Sequence, residues 1–437
     1  MTDSPEPGSA PIEPARPSAT RRALVASGAA AAAGLLTAGS VCAQPRRRPP
    51  VWAGFGLNGS AMQPASDSRS KSQDRFSLTR AWVARTRGGR ELTDVSAFDG
   101  VRDLLLPQLR PLAGNSLQFK NEVEFGQDLL LGFAHDYETY IGARVEKDGD
   151  NANTLFIFMA GVGLVLTYDP SSSWRMVSSF PFMLRAEWPL QGMSDVRGQA
   201  IARMDEAYQQ YTRAFTHFLG RFNKPGQGFA ANFFAQLTRA EVHREAQPKL
   251  AALGIENQLG GDLLGFSASS TICDSLNMPM LPFRENDALA KRYAVKFAGV
   301  NMAQDIAQIP DADLRFEVIL RDISKEIIPS RQMGITILRR QVVLNFRVFN
   351  AFDPSKPVLQ TFAAADPHDD KIPYNSKSDD TPERDLVFFD RLVTRTLTQL
   401  LQGLARRDAQ MLAKVDVKLD AVAPAIPRFL EMIAKTR

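Results

Sequence analysis

The chain contains few of the side chains that enzymes use for acid–base, nucleophilic or metal chemistry. Its 437 residues include four histidines and two cysteines, at positions His135, His217, His243, His368, Cys42 and Cys273. No Gly-x-x-x-x-Gly-Lys-Ser/Thr phosphate loop, His-Glu-x-x-His zinc motif or Cys-x-x-Cys redox motif occurs in the sequence. The stretch GFSAS at residues 265–269 lacks one glycine of a nucleophile elbow. The sequence therefore predicts no catalytic residue, no metal ligand and no cofactor.

The strongest candidate for chemistry is an acidic stretch around His368. Five aspartates lie in or near it, at positions Asp366, Asp369, Asp370, Asp379 and Asp380. Carboxylates and an imidazole in one loop can hold a divalent ion, but solvated acidic loops are far commoner, and such a loop is the structure expected here. Cys273 follows four uncharged residues, so its thiol is expected to be buried and unreactive. An exported enzyme that uses these groups, such as a hydrolase, is the alternative.

The amino-acid composition argues against several classes of protein. The chain is 44% hydrophobic and 23% charged, which is ordinary for a soluble globular protein of two or three domains. Lys and Arg number 52 against 48 Asp and Glu, a net charge of +4 that does not favour nucleic-acid binding. Two cysteines are too few for a disulfide scaffold or a cysteine-rich zinc site.

The first 43 residues have the pattern of an export signal. Arg21 and Arg22 precede an uncharged stretch that is rich in Ala, Gly, Leu and Val and ends at Val41-Cys42-Ala43. A positive segment, an apolar segment and small residues at the end are typical of a bacterial secretory signal cleaved after Ala43. The protein is therefore expected in the periplasm or outside the cell.

The paired arginines resemble those of a twin-arginine (Tat) signal, although Ala23-Leu24 stands where that family usually has x-Phe-Leu-Lys. Export through the Sec pathway and retention of residues 23–43 as a membrane anchor remain alternatives. Lipidation at Cys42 is disfavoured, because Gly39 and Val41 depart from the lipoprotein pattern.

Two segments, residues 44–95 and residues 96–225, are expected to follow the signal. Residues 44–95 are basic and loop-rich, and their arginine run at 46–48 leaves peripheral contact with a membrane possible. Residues 96–225 are expected to form a first α+β unit, with strands at 137–145, 155–167 and 174–184. The middle strand carries no charge and is expected to be buried on both faces. An apolar stripe from Ile201 to Phe222 at spacings of three and four predicts the helix that follows.

The remaining chain is expected to form a connector and a second α+β unit. Residues 226–290 are interpreted as a mostly helical connector, with an apolar helix face that starts at Phe233, Phe234 and Leu237. Residues 291–437 are expected to contain strands at 292–297, 314–321, 335–349 and 358–363. A long helix striped from Leu386 to Leu404 and a short C-terminal helix should follow them.

Two passages of the chain match each other. The turn 168–171 (YDPS) aligns with 352–355 (FDPS), and each turn links two strands that precede an amphipathic helix. The helix stripes also align, at pairs Ile201/Leu386, Met204/Phe389, Tyr208/Val393 and Phe215/Leu400. The match predicts two related strand–turn–strand–helix units at residues 155–222 and 340–407.

This strand–turn–strand–helix pattern resembles the small α/β domain of bacterial envelope proteins, such as the curli-secretion lipoprotein family and the N-terminal domain of TolB. The resemblance covers about 60 residues in each half and implies no catalytic residue. It implies a role in binding or assembly, with an unidentified protein or another component of the cell envelope as the partner. Taken together, the sequence predicts an exported, non-catalytic envelope protein of the α+β class.

Overall fold

A computed structural model describes most of the chain after the predicted signal. The described residues are 50–58, 76–86, 106–114, 117–119, 129–147, 150–169, 173–222, 233–283, 295–297, 309–376 and 378–436. The predicted signal, with Arg21, Arg22 and Ala43, lies outside them. All the described residues belong to one compact unit within Arg48–Arg437. Among the described helices, none is both long and apolar enough to cross a membrane.

A first sheet of five strands has the order β4-β3-β2-β1-β6. Its strands are β1 (Val51–Asn58), β2 (Leu130–Lys147), β3 (Asp150–Asp169), β4 (Ser173–Pro189) and β6 (Val295–Phe297). β1 runs parallel to β2, whereas β2, β3 and β4 form two successive antiparallel hairpins. Residues 154–166 on β3 are all buried, which confirms the prediction of a strand covered on both faces.

A second sheet has the order β10-β8-β7-β5, with β9 also paired to β8. Its strands are β5 (Ala235–Val242), β7 (Leu314–Ser330), β8 (Ile335–Asn350), β9 (Leu359–Ala364) and β10 (His368–Pro373). β5 runs parallel to β7, and β8 pairs antiparallel with β7, β9 and β10. The even-numbered residues of β8 from Leu338 to Val348 are buried, as their period-two pattern predicts.

The helices lie between and outside these strands. Those whose bounds the structure describes are α1 (Ser77–Thr86), α2 (Val196–Ala202), α3 (Met204–Phe222), α4 (Gln247–Leu253), α5 (Glu256–Leu259), α6 (Asp262–Leu276), α7 (Pro382–Arg406), α8 (Ala409–Ala413), α9 (Leu419–Val422) and α10 (Ile426–Thr436). Residues 106–113 are also helical. The long helix α7 begins at a threonine cap, since the Thr381 side chain accepts a hydrogen bond from the Arg384 N–H. With 39% helix and 38% strand among the described residues, the protein belongs to the α+β class, as predicted.

Helix α3 packs on one face of the first sheet through its apolar stripe. Tyr208, Tyr211 and Phe215 on this stripe are completely buried. Gly161 on β3 makes the close approach possible, because a Cβ atom there would lie 1.6 Å from the Tyr211 hydroxyl oxygen. The side of α3 that the sequence predicts to be apolar is therefore the side that packs against the sheet.

Helices α6 and α7 cover the opposite face of the same sheet. Phe266 on α6 stacks on Tyr137 of β2 with ring centroids 5.6 Å apart. The Arg391 guanidinium on α7 lies 5.3 Å from the ring centroid of Phe156 on β3. Because helices lie on both faces, β3 has no solvent-facing side, which explains its uncharged sequence.

The structure corrects two local predictions. Residues 235–242, expected to begin a helix with Phe233, Phe234 and Leu237, form strand β5 in the predicted mostly helical connector. Short apolar runs do not distinguish a buried strand from a helix, and pairing with β7 decides the outcome. Residues 368–373, expected to be a solvated acidic loop, form strand β10 at the edge of the second sheet.

The two sheets share an order of elements. A parallel strand pair, β1 with β2 or β5 with β7, precedes two antiparallel hairpins and a long helix. The connection between β5 and β7 contains α4, α5, α6 and strand β6 of the first sheet, so the two connections differ in content. Val51 and Ala235, which begin β1 and β5, lie 184 residues apart, as do Leu130 and Leu314, which begin β2 and β7. In place of the continuous β4, the second half has the two segments β9 and β10. The duplication read from the sequence stays a prediction.

Candidate functional site

Within the part of the chain that the structure describes, a group of eight charged side chains lies where β10, β8 and the first turn of α7 meet. We call it the junction cluster; it comprises Arg144, Lys325, Arg340, Asp370, Asp379, Asp380, Arg384 and Asp385. Arg384 donates from Nε and Nη2 to the two carboxylate oxygens of Asp370, each at 2.6 Å. Arg340 donates to Asp370 at 3.0 Å and from Nε to Asp385 at 2.8 Å. All four of these side chains are at least 98% buried.

The junction cluster also ties the second sheet to the first. Arg384 Nη1 donates to the carbonyl oxygen of Arg144 on β2 at 2.6 Å and to Oδ1 of Asn151 on β3 at 3.2 Å. The Arg144 guanidinium lies 3.1 Å from the buried carboxylate of Asp379. The cluster therefore fixes the β2–β3 hairpin against β10 and α7.

Charges in the junction cluster balance one for one. Lys325 completes it by donating to Asp380, and to Asp385 at 2.7 Å. Four cationic side chains thus meet four carboxylates, and among them the Arg144 side chain is 45% exposed and Asp380 is 22% exposed. Moving an ion from water into the protein interior costs several kcal/mol of desolvation. In the junction cluster this cost is offset because each carboxylate contacts at least one cation, and Arg340, Arg384 and Lys325 each contact two or more acceptors. The arrangement holds backbone elements together and leaves no excess negative charge for a divalent ion.

These contacts account for the acidic stretch around His368. Asp370 and Asp379 are buried in the junction cluster, and Asp380 binds Lys325. Asp369 lies on the other face of β10 and forms a two-point ion pair with Arg339 at 2.8 and 2.9 Å. Within the described residues there is no group of three or more His, Cys, Asp or Glu side chains arranged to hold a metal. Asp369 and Asp370 lie on opposite faces of β10, and Asp379 and Asp380 lie just before α7, so the carboxylates do not converge in one loop.

His368 lies beside the junction cluster without joining it. Its ring stacks on Phe388, with centroids 5.0 Å apart and planes at 26°. Burial lowers the pKa of His368 from its ordinary value of 6.5; Asp370 opposes this shift, and Arg395, Arg340 and Arg391 add to it. The folded protein thus favours the neutral imidazole.

Lowering the pH should therefore reduce the stability of the folded protein, because His368 resists protonation in it. Below the ordinary pKa, the unfolded chain takes up a proton that the folded imidazole resists, so stability present at neutral pH is lost as the solution is acidified. We expect the His368→Gln variant to lose less thermal stability than the wild type between about pH 7.5 and about pH 5.5. Melting curves of both proteins at each pH measure this. Equal losses would show that His368 does not couple folding to pH.

A second buried group of polar side chains lies under α1. We call it the His135 cluster; it comprises Thr79, His135, Glu138, Tyr208 and Tyr211. Oε1 of Glu138 accepts the N–H groups of Leu78 and Thr79 at 2.7 and 2.8 Å, at the start of α1. Oε2 of the same carboxylate accepts the Thr79 hydroxyl at 2.5 Å and faces His135 Nε2 at 3.1 Å. Glu138 on β2 therefore caps α1 from outside the helix.

The hydroxyl groups of the His135 cluster tie it to α3 and β3. The Tyr211 hydroxyl donates to the carbonyl oxygen of Ala160 at 2.8 Å and lies 3.0 Å from Nδ1 of His135. The His135 ring therefore bridges Tyr211 and the Glu138 carboxylate, which faces Nε2. The Thr79 hydroxyl gives its hydrogen to Glu138, so Tyr208 donates to Thr79 at 2.6 Å. Burial raises the pKa of Tyr208, in agreement with a hydroxyl that keeps its proton.

The remaining nucleophile candidates lie inside helix α6. Ser267, the serine of the incomplete elbow, is mid-helix and donates to Oδ1 of Asp390 at 2.6 Å. A nucleophile elbow places its serine at a strand-to-helix turn, so the geometry does not match. Cys273 is completely buried on the same helix, as the sequence predicts for a structural thiol. His217 has a side chain outside the described residues.

A separate cavity of about 790 Å³ opens beyond the end of β5. It is lined by the ends of β5 and α4, the start of α6 and Tyr137 of the first sheet. Its charged lining residues are Glu241, Arg244, Glu256 and Asp262, and no member of either buried cluster reaches it. The volume is that of a small-molecule or peptide cleft, and the described lining residues include no histidine, cysteine, serine, threonine or lysine.

No protein-family model matches the chain, and no curated protein matches it either. Function is therefore inferred from the geometry and from the sequence. Neither buried cluster is predictable from sequence spacing, because its members lie far apart in the chain: 240 positions separate Arg144 from Arg384. The only local signal is the presence of a charged residue, Arg340, at an even position of a buried strand face.

Proposed function

We propose that the protein is exported to the periplasm or the cell exterior and acts there by binding or assembly rather than by catalysis. The observation that carries this proposal is the use of polar groups in the described fold. The polar side chains of the junction cluster and the His135 cluster bind one another and join secondary-structure elements. The open cavity beyond β5 has no histidine, cysteine or serine among its described lining residues. Polar contacts of this kind stabilise the fold, so we place the function on the surface of the protein, where a partner can bind.

The partner class proposed is a protein or another component of the cell envelope. The resemblance of each strand–turn–strand–helix passage to envelope assembly domains supports this class. The shared order of elements in the two halves supports an origin by duplication, in which two sheet-and-helix layers stack on each other. Such layered scaffolds present sheet faces and helix faces as docking surfaces.

Export is tested by changing the paired arginines. Replacing Arg21 and Arg22 together with lysine keeps the positive charge and removes the Tat feature, so the chain should accumulate uncleaved in the cytoplasm. Fractionation of cells and immunoblotting measure this. The matched control replaces Arg46 and Arg47 with lysine, beyond the predicted cleavage site, and should be exported normally. Unimpaired export of the Arg21/Arg22 variant would favour the Sec pathway, and a cytoplasmic wild type would contradict the proposal.

A further inference from the structure

We propose that the turn end of the β7–β8 hairpin inserts into the surface of an anionic lipid membrane. We call this region the arm end; it comprises residues 327–337 and 371–375. The inference rests on the proposed binding role and names lipid as the component of the cell envelope that is bound. Three properties of the arm end carry it: its exposure, its apolar surface on both sides of the sheet, and its charge.

The arm end lies beyond the strands that flank the rest of the hairpin. β5 pairs with β7 only as far as Leu320, and β9 pairs with β8 only from Val343 onward. The pairing of β7 with β8 continues past both strands to the turn at 331–334. Within the described residues, β10 is the one strand that accompanies the hairpin to this turn, where the Tyr374 N–H donates to the Gly334 carbonyl oxygen at 2.9 Å. The three strands thus form an arm of the second sheet.

Exposed apolar side chains are concentrated at the arm end. Ile327 is 56% exposed, Met333 63% and Tyr374 37%, and these are three of the seven large hydrophobic side chains that are exposed among the described residues. Three further isoleucines are partly exposed: Ile328, Ile335 and Ile337. A contiguous apolar patch of this kind marks a surface that binds another protein or a membrane. Tyr374 adds an apolar ring with a polar hydroxyl, the type of side chain that is enriched at membrane interfaces.

The arm end is apolar on both sides of the sheet. Ile328 lies directly across from Ile337, so these two side chains share the outer side. Ile327, the preceding residue of β7, points to the opposite side, where it lies across from Leu338. Met333 lies in the turn that joins the two strands. A sheet that docks on a protein buries one side, whereas lipid surrounds an inserted turn on every side, so this distribution favours lipid.

The charge of the arm end selects anionic headgroups. Its residues include two exposed cations, Arg331 and Lys371, and no Asp or Glu. The exposed carboxylates just behind it, Glu326 and Asp369, lie 3.8 and 2.8 Å from the Arg339 guanidinium, which offsets their charge. Lys and Arg side chains close to a membrane are attracted by acidic lipids, and this attraction adds to the burial of apolar side chains. An anionic membrane therefore matches both properties of the arm end.

Flotation of the full processed chain with lipid vesicles tests the inference. The wild type should bind vesicles of phosphatidylcholine mixed with phosphatidylglycerol and should bind vesicles of phosphatidylcholine alone far more weakly. Ile327→Ser with Met333→Ser should weaken binding to the mixed vesicles by about tenfold or more, because two apolar side chains no longer leave water. Arg331→Gln with Lys371→Gln should reduce that binding to the level seen with phosphatidylcholine alone.

The matched controls change exposed side chains outside the arm end. Phe352→Ser removes an apolar side chain that is 78% exposed in the loop between β8 and β9, at the opposite end of β8. Lys356→Gln with Lys414→Gln removes two exposed positive charges. Both control proteins should bind the mixed vesicles like the wild type. Because every substituted side chain lies at the surface, melting curves of all variants should stay close to that of the wild type.

Several results would overturn the inference. They are a wild type that binds neither kind of vesicle, equal binding to both kinds, arm-end variants that bind like the wild type, and controls that lose as much binding as those variants. An envelope protein that co-purifies with the wild type but not with the Ile327/Met333 variant, without binding to vesicles, would show that the arm end binds protein instead of lipid.

The proposed function stands or falls separately. An exported and processed protein that binds neither kind of vesicle would overturn this inference and leave the proposed function standing. A cytoplasmic, unprocessed chain would overturn the proposed function whatever its affinity for lipid.

Discussion

Replacing Asp370 with alanine is expected to lower the free energy of unfolding by about 3–5 kcal/mol. The change leaves Arg384 and Arg340 buried without the carboxylate that both share, and water cannot compensate them at full burial. Urea unfolding followed by circular dichroism measures the loss. The expected magnitude is a large share of the stability of a typical protein, so partial unfolding at 37 °C should accompany it.

The neighbouring residue supplies the matched control. Asp369→Ala removes a carboxylate from the same strand, but this carboxylate forms an ion pair at the surface, so stability should change little. Combining Asp370→Leu with Arg384→Met removes both charges together and should cost less than Asp370→Ala alone. Equal effects of Asp369→Ala and Asp370→Ala would show that the junction cluster does not hold the fold together.

Replacing Glu138 with alanine should destabilise the protein by an amount similar to that for Asp370, about 3–5 kcal/mol. The change removes the acceptor for two N–H groups at the start of α1 and takes the Glu138 carboxylate away from Nε2 of the buried His135 ring. Amide hydrogen exchange should then show lost protection in α1 before the rest of the fold.

The control for Glu138 is a strand glutamate in an exposed ion pair. Glu241→Ala removes a carboxylate that is 39% exposed and bound to Arg239 on the same strand. Little change is expected in global stability or in the exchange of α1. If Glu138→Ala left α1 as protected as in the wild type, the proposed capping role of this carboxylate would be wrong.

Periodicity explains which parts of the fold could be predicted from the sequence. The stripes on α3 and α7 and the alternation on β8 follow directly from burying one side of a regular element, so their register is recoverable. The uncharged run of β3 similarly indicates a strand with two covered faces. In each case a repeating local pattern is sufficient, because the partner surface needs only to be apolar.

The remaining features depend on partners that are distant in the chain. β5 has a short apolar run that suits a helix or a strand, and its parallel partner β7 begins 79 positions later than Ala235. β10 looks acidic and solvated until Arg340 and Arg384 are placed against Asp370. Spacing along the sequence does not encode such ion pairs, so it reveals neither buried cluster and predicts a loop where a strand lies.

Native mass spectrometry is the most direct test of the proposal that this is an exported binding or assembly protein without a catalytic metal. The protein would be released from the periplasm by osmotic shock and prepared without added metal. We expect a polypeptide that begins at Gln44 and carries no stoichiometric transition metal. An intact N-terminal segment of residues 1–43, or one zinc or other transition-metal ion bound per chain, would contradict this function.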